Sequence, residues 1–270
     1  MNFVEKLASS ALKRRSLLCV GLDPDPDRIP AGIGVLDFNR AIIEATSDLV
    51  CAYKPNLAFY EALGSEGFDV LRRTVECIPD DIPVIGDAKR GDIGNTARAY
   101  AKALFDDLDF DATTVTPYLG FDSIEPFIEY SDKGVFILCR TSNAGALDFQ
   151  SLLCQQGEAH RPLFEVVALK ASQWDKHGNI GLVVGATYPE EIRLIRQSHP
   201  DMPLLIPGVG AQGGDLATAV GYGVDGQGRN VIINSSRQII YASRGEDFAQ
   251  AARRAASALR EQINSCRPAL

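Results

Sequence analysis

The sequence predicts an α/β protein, a single (β/α)8 TIM barrel in which residues 1–270 form one domain. Three observations carry that expectation. Short apolar runs alternate with stretches of helical spacing eight times along the chain. Polar and charged residues stand directly after those runs. No Pro/Ser-rich linker, low-complexity tract or obvious repeat divides the chain.

The runs fall at 17–22, 50–54, 82–87, 112–116, 135–140, 181–185, 204–207 and 231–234. Each is apolar without clean alternation, as expected of a parallel strand buried on both faces. The helical patterns between them include Phe38, Ala41, Ile42, Ala45 and Leu49, then Ile93, Ala97, Tyr100 and Leu104. The last is Phe248, Ala252, Ala255, Leu259 and Ile263. A helix between two strands makes the crossover that parallel pairing needs, and eight such units in about 250 residues suit a closed barrel. The rival is an open, doubly wound sheet. Asp23, Lys54, Asp87 with Lys89, Ser142, Gln212 and Arg237 all stand at the C-terminal ends of runs. A barrel gathers those ends into one ring, whereas an open sheet spreads them along a line, so a single convergent pocket is expected. Residues 144–179 exceed a usual βα loop plus helix; 164–174 has a helical pattern and 147–160 reads as an irregular insert.

Composition narrows the function classes. At 46% apolar and 23% charged the chain can bury one sizeable core, and its net charge of −8 disfavours nucleic acid and anionic membranes as partners. Residues 1–15 end in Lys13-Arg14-Arg15 with no apolar core of a leader peptide after them, and no stretch approaches a membrane span. The six cysteines form no CxxC pair and read as reduced core residues of a cytoplasmic protein. His160, His177 and His199 are scattered and suggest neither a triad nor a metal site.

Residues 85–96 are the most informative segment: a buried-looking strand runs straight into Asp87, Lys89, Arg90 and Asp92. A solvated loop with Asp92 near a helix N-terminus is the bland account. Lys54, a further charge at a strand end, weighs against it. An alternating carboxylate–ammonium chain in a pocket would fix the direction of Lys89 and keep the carboxylates ionised. A second constellation joins the Gly-rich 204–214 segment to Ile232-Ile233-Asn234-Ser235-Ser236-Arg237, the loops after the seventh and eighth strands, where barrels commonly bind phosphate. Gly208, Gly210 and Gly213 also fit a dinucleotide fingerprint, which would make the protein a nicotinamide-dependent oxidoreductase. That fingerprint belongs in an early βαβ unit with an acidic residue on the next strand; here it follows the seventh run, and Asp225 lies in a Gly-rich loop. Asp23 beside proline reads by itself as a turn residue, and Ser142 in Thr141-Ser142-Asn143 as an ordinary turn.

Asp87-x-Lys89-x-x-Asp92, with Asp23 and Lys54 after the first two runs, resembles the orotidine 5′-phosphate decarboxylase family, and residues 89–97 are similar to its long variety. The resemblance extends from Asp23 to Arg237. It implies cofactor-free conversion of orotidine 5′-phosphate to uridine 5′-phosphate, with Lys89 protonating C6 of the pyrimidine and Asp87 against the departing carboxylate. Lys54 completes the charged array. It implies a homodimer in which Asp92, with Ile93 and Thr96, enters the neighbouring pocket. It further implies Asp23 on the ribose, Ser142 on the pyrimidine edge, Gln212 on a lid loop and Arg237 on the 5′-phosphate. The chemistry is consistent: loss of CO2 leaves a ring carbanion without a conjugated sink, so fixed cations must stabilise the charge and then protonate it. A nearer rival is a Mg2+-dependent sugar-phosphate decarboxylase or aldolase sharing the Asp-x-Lys-x-x-Asp pattern. Arg90, Ser142 and the Gln212 loop favour the nucleotide enzyme.

Overall fold

The structure is a computed structural model and describes residues 1–209 and 215–267. Its strands are β1 (Leu18–Leu22), β2 (Ala52–Pro55), β3 (Ile85–Arg90), β4 (Ala112–Val115), β5 (Gly134–Arg140), β6 (Leu153–Gln156), β7 (Ala159–Pro162), β8 (Ile180–Val184), β9 (Leu204–Pro207) and β10 (Val231–Ser235). All but β6 and β7 form one parallel sheet in the order β2-β1-β10-β9-β8-β5-β4-β3. Bridges Tyr53↔Val84 and Asn56↔Asp87 join its two edges and close the barrel. The eight expected strands are therefore these eight, in a barrel rather than an open sheet.

The helices are α1 (Phe3–Arg14), α2 (Val35–Thr46), α3 (Leu57–Glu61), α4 (Gly67–Glu76), α5 (Gly94–Lys102), α6 (Glu125–Ile128), α7 (Leu163–Trp174), α8 (Pro189–Ser198), α9 (Leu216–Gly223), α10 (Arg237–Ile240) and α11 (Phe248–Cys266). Along α2 and α11 the expected apolar spacing meets the core: Phe38 and Ile42 are buried in one, Phe248, Ala252 and Ile263 in the other. On α5 it does so only in part. Ala97 is buried on it and Leu104 in the π turn that follows, whereas Ile93 is the N-cap and 52% exposed.

Strand alternation builds the interior in layers, because every second side chain points inward. Cys19, Ala52, Ile85, Ala112, Phe136, Val183, Leu205 and Ile232 fill the lower barrel. The intervening residues, such as Val20, Tyr53, Val115 and Ile233, pack against the helices. One helix closes the bottom. Asn2 and Glu5 form a reciprocal cap that starts α1, which drives Phe3 and Leu7 into the lower barrel. The Phe3 ring meets Phe136 edge-on at 5.7 Å and lies so close to Gly134 that a Cβ there would stand 2.3 Å from it. The N-terminal segment is thus a plug. The segment expected to be an irregular insert is partly regular: a 3-10 turn, Ala144–Asp148, leads to the antiparallel hairpin β6–β7, which hands the chain to α7.

Two strand boundaries differ from expectation and matter for the site. The third strand starts at Ile85 and continues to Arg90, with its pairing to β4 broken between Gly86 and Arg90. Lys89, two residues beyond the expected run that ends at Asp87, therefore projects from a strand and not from a loop. Likewise Lys54 lies within β2, opposite Gly21 of β1.

Candidate active site

Two residues above the apolar layer, the same inward positions carry Lys54 on β2, Asp87 on β3, Thr114 on β4 and Asn234 on β10. Lys54 Nζ donates to Asp87 Oδ2 at 2.7 Å, and Lys89 Nζ donates to Asp87 Oδ1 at 2.5 Å. Thr114 adds a third donor, its Oγ1 standing 3.0 Å from Asp87 Oδ1. The two lysines are not equivalent: the Lys54 side chain is 5% exposed, that of Lys89 48%. Lys54 is sealed behind the carboxylate while Lys89 faces the barrel mouth.

Burial pushes the Asp87 carboxyl up, but the ammonium groups of Lys54 and Lys89 and their hydrogen bonds outweigh it and hold the group well below the usual carboxylate range. Burial likewise pushes Lys54 down, and Asp87 followed by Asp23 overcomes it and holds the ammonium above the usual lysine range. A buried pair with both members charged is the result. Lys89 itself sits at φ 47, in the left-handed region that side chains other than glycine rarely adopt.

Asp23, Lys54 and Asp87 line one cavity of about 170 Å³ together with Pro207, Asn234 and Arg237. It opens at the C-terminal end of the barrel. Gly21 makes room for the opposing loop, since a Cβ there would lie 1.9 Å from Ser236 Oγ. Within the pocket Asp23 Oδ1 and Asn234 Oδ1 are buried without a hydrogen-bond partner, so both are acceptors awaiting a donor. Tyr241 ties two walls together: its hydroxyl donates to Asp23 O at 2.9 Å and accepts from Asp25 N at 2.6 Å. A larger cavity of about 440 Å³ lies at the opposite end, between α1, Arg15, Arg229 and Arg267, and contains none of the carboxylate–ammonium array.

The remaining expected residues separate into two groups. Ser142 stands over Gly185, where a Cβ would come within 2.7 Å of it, and its loop is framed by Gln150, which accepts from Thr141 N at 2.8 Å. Arg237 begins α10, exposed at the rim of the pocket. Asp92, Ile93 and Thr96 are not joined to Lys89 by any bond among the described residues; Asp92 Oδ1 accepts from Ile93 N at 2.8 Å, and Ile93 and Thr96 face outward. Gln212 lies outside the described residues. Arg90 also points away from the array, bonding Glu61 and lying 5.1 Å over the Tyr100 ring. Thr114 and Tyr241 escaped the sequence reading, and Asn234 entered it only as part of the 232–237 segment, with no role. Thr114 and Asn234 are marked only by register, each lying two residues after an inward apolar position on its strand, which the structure and not the sequence supplies.

Comparison with known proteins agrees with this geometry. The Orotidine 5′-phosphate decarboxylase / HUMPS family matches residues 16–255. An orotidine 5′-phosphate decarboxylase of Dehalococcoides mccartyi strain CBDB1 is 56% identical over 267 residues, covering 99% of each chain. One from Herpetosiphon aurantiacus is 55% identical over 262 residues, covering 95% of this chain and 96% of the other. Among solved structures, the OMP decarboxylase of Leishmania donovani superposes with a TM-score of 0.86 at 41% identity, covering 98% of this chain and 99% of that one. Sequence, barrel and charged pocket lead to one conclusion: the chain belongs to the orotidine 5′-phosphate decarboxylase / HUMPS family.

Proposed function

We infer that the protein decarboxylates orotidine 5′-phosphate to uridine 5′-phosphate. The observation that carries this reading is the Lys54–Asp87–Lys89 array, whose Lys54 and Asp87 share a cavity with Arg237. Arg237 offers a guanidinium fork to the 5′-phosphate at the rim, and the unpartnered Asp23 Oδ1 accepts from a ribose hydroxyl. Ser142 meets the pyrimidine edge from the β5 loop. These contacts carry the reactive carbon to the array.

Asp87 is held ionised, so a substrate carboxylate beside it is repelled, and that repulsion vanishes as CO2 leaves. The electron pair of the breaking C–C bond stays on C6. Lys89 stabilises that charge and then delivers a proton to it; Lys54 keeps Asp87 charged and in place. The array supplies cation, acid and orientation by itself, which supports a cofactor-independent reaction. We further infer a homodimer of single-domain chains in the cytoplasm, with Asp92, Ile93 and Thr96 entering the partner's pocket. Asp92 Oδ1 accepts from Ile93 N and makes no bond to its own Lys89 among the described residues, and Ile93, Tyr118 and Leu119 are apolar side chains exposed on nearby loops. All six cysteines are unbridged, as suits a reducing compartment.

The test is loss of the orotate-ring absorbance when the purified protein meets orotidine 5′-phosphate in EDTA. Sustained turnover is expected. Activity that EDTA removes and Mg2+ restores would instead assign the protein to the sugar-phosphate reading.

A further inference from the structure

Lys89 occupies a backbone conformation that its own strand does not provide. Parallel pairing between β3 and β4 stops after Gly86 and resumes only at Arg90, so the Lys89 amide has left the ladder. Its φ of 47 is one that a residue with a Cβ resists. Strain of this kind persists only where the surroundings hold it. The Lys89 amide donates to a hydroxyl. Thr114 Oγ1 lies 3.0 Å from Lys89 N and 3.0 Å from Asp87 Oδ1, and the residue is 1% exposed.

The polarity of this pair of bonds is unambiguous. An amide can only donate, and an ionised carboxylate can only accept. The hydroxyl must therefore take the Lys89 N–H on a lone pair and send its one proton to Asp87. We propose that Thr114 is a positioning residue for the reaction: by fixing the Lys89 backbone and the Asp87 carboxylate through one oxygen, it aims the Lys89 ammonium at the substrate. The proposal rests on the decarboxylase reading. It explains why β4 carries a hydroxyl at an inward position two residues after Ala112, where its own lower layer is apolar. The neighbouring Thr113 makes the contrast, because its Oγ1 donates to Gly86 O at 2.9 Å and touches neither charged residue.

The experiment compares Thr114→Val, Thr114→Ser and Thr113→Val. Valine keeps the shape and loses both bonds; serine keeps both bonds. For Thr114→Val we expect kcat to fall by about 10²-fold with KM changed less than about threefold, the pattern of a lost transition-state alignment. Thr114→Ser should recover kcat to within about fivefold of wild type, and Thr113→Val should retain wild-type kcat even if it melts earlier. A crystal structure of Thr114→Val should show Lys89 outside the left-handed region. The proposal is overturned if Thr114→Val keeps kcat within about twofold, if both valine variants lose kcat equally, or if serine fails to recover it. Should the wild type not decarboxylate orotidine 5′-phosphate at all, the functional reading fails separately. The Lys89 backbone in Thr114→Val, and the rate at which its ammonium is reductively methylated relative to wild type and Thr113→Val, then decide the positioning claim: unchanged geometry and rate refute it.

Discussion

At the scale of residues, the two lysines of the array should separate stability from chemistry. Lys54 is sealed against Asp87, so Lys54→Ala leaves a buried carboxylate with Lys89 as its one charged partner beside the Thr114 hydroxyl and should cost about 3 kcal/mol in urea unfolding. Lys89→Ala removes the exposed partner and should unfold within about 1 kcal/mol of wild type. Equal losses would contradict the asymmetry. The pH dependence follows from the same pair. Asp87 is depressed, so its contribution is present above the ordinary aspartate value and is lost as pH falls through the folded value; Lys54 is raised, so its contribution is present below the ordinary lysine value and is lost as pH rises. Without Lys54 the carboxyl loses one of the two ammonium groups that hold it down, and the midpoint of acid unfolding should move up. An unmoved midpoint would show that the pair does not set acid stability. Arg237→Ala should lower kcat/KM by about 10²-fold for the full substrate and hardly at all for an analogue lacking the phosphate. A similar penalty on both would make Arg237 structural.

At the scale of elements, α1 is the part whose role the sequence least disclosed. Phe3→Ala empties the bottom of the barrel and should cost about 3–5 kcal/mol, with kcat for the surviving folded enzyme unchanged because the site lies at the other end. Thermal melting and steady-state kinetics on one preparation check both halves; a lowered kcat would mean the plug reaches the site. The eight strands were legible because burial on both faces removes polar residues from short runs, a signal that survives without any partner in view. The plug was not, since the apolar residues of α1 are scattered among polar ones, and Phe3 and Leu7 reveal their purpose only against Phe136 and Gly134. The hairpin β6–β7 was hidden for the opposite reason: its strands are mostly exposed, so no burial pattern marks them. Site charges were legible as types at strand ends. Thr114 was not, because a threonine in an apolar strand looks like ordinary β propensity until its inward register is known.

At the scale of the whole molecule, the proposed dimer, in which Asp92 serves the partner's pocket, makes a prediction about mixed chains. A two-fold interface uses the same patch twice, so a dimer of one Lys89→Ala chain and one Asp92→Ala chain has one doubly damaged site and one intact site. Random exchange makes half the dimers mixed, and about a quarter of all sites should regain activity. If native mass spectrometry showed exchange and activity stayed at the level of the separate variants, Asp92 would serve its own chain. The account as a whole stands on Lys89 as the cation and acid of a decarboxylation. The measurement that reaches it most directly is the rate of orotidine 5′-phosphate turnover by Lys89→Ala, at saturating substrate, with circular dichroism to show the barrel intact. A loss of at least about 10³-fold is expected; a folded variant within about tenfold of wild type would contradict the assignment.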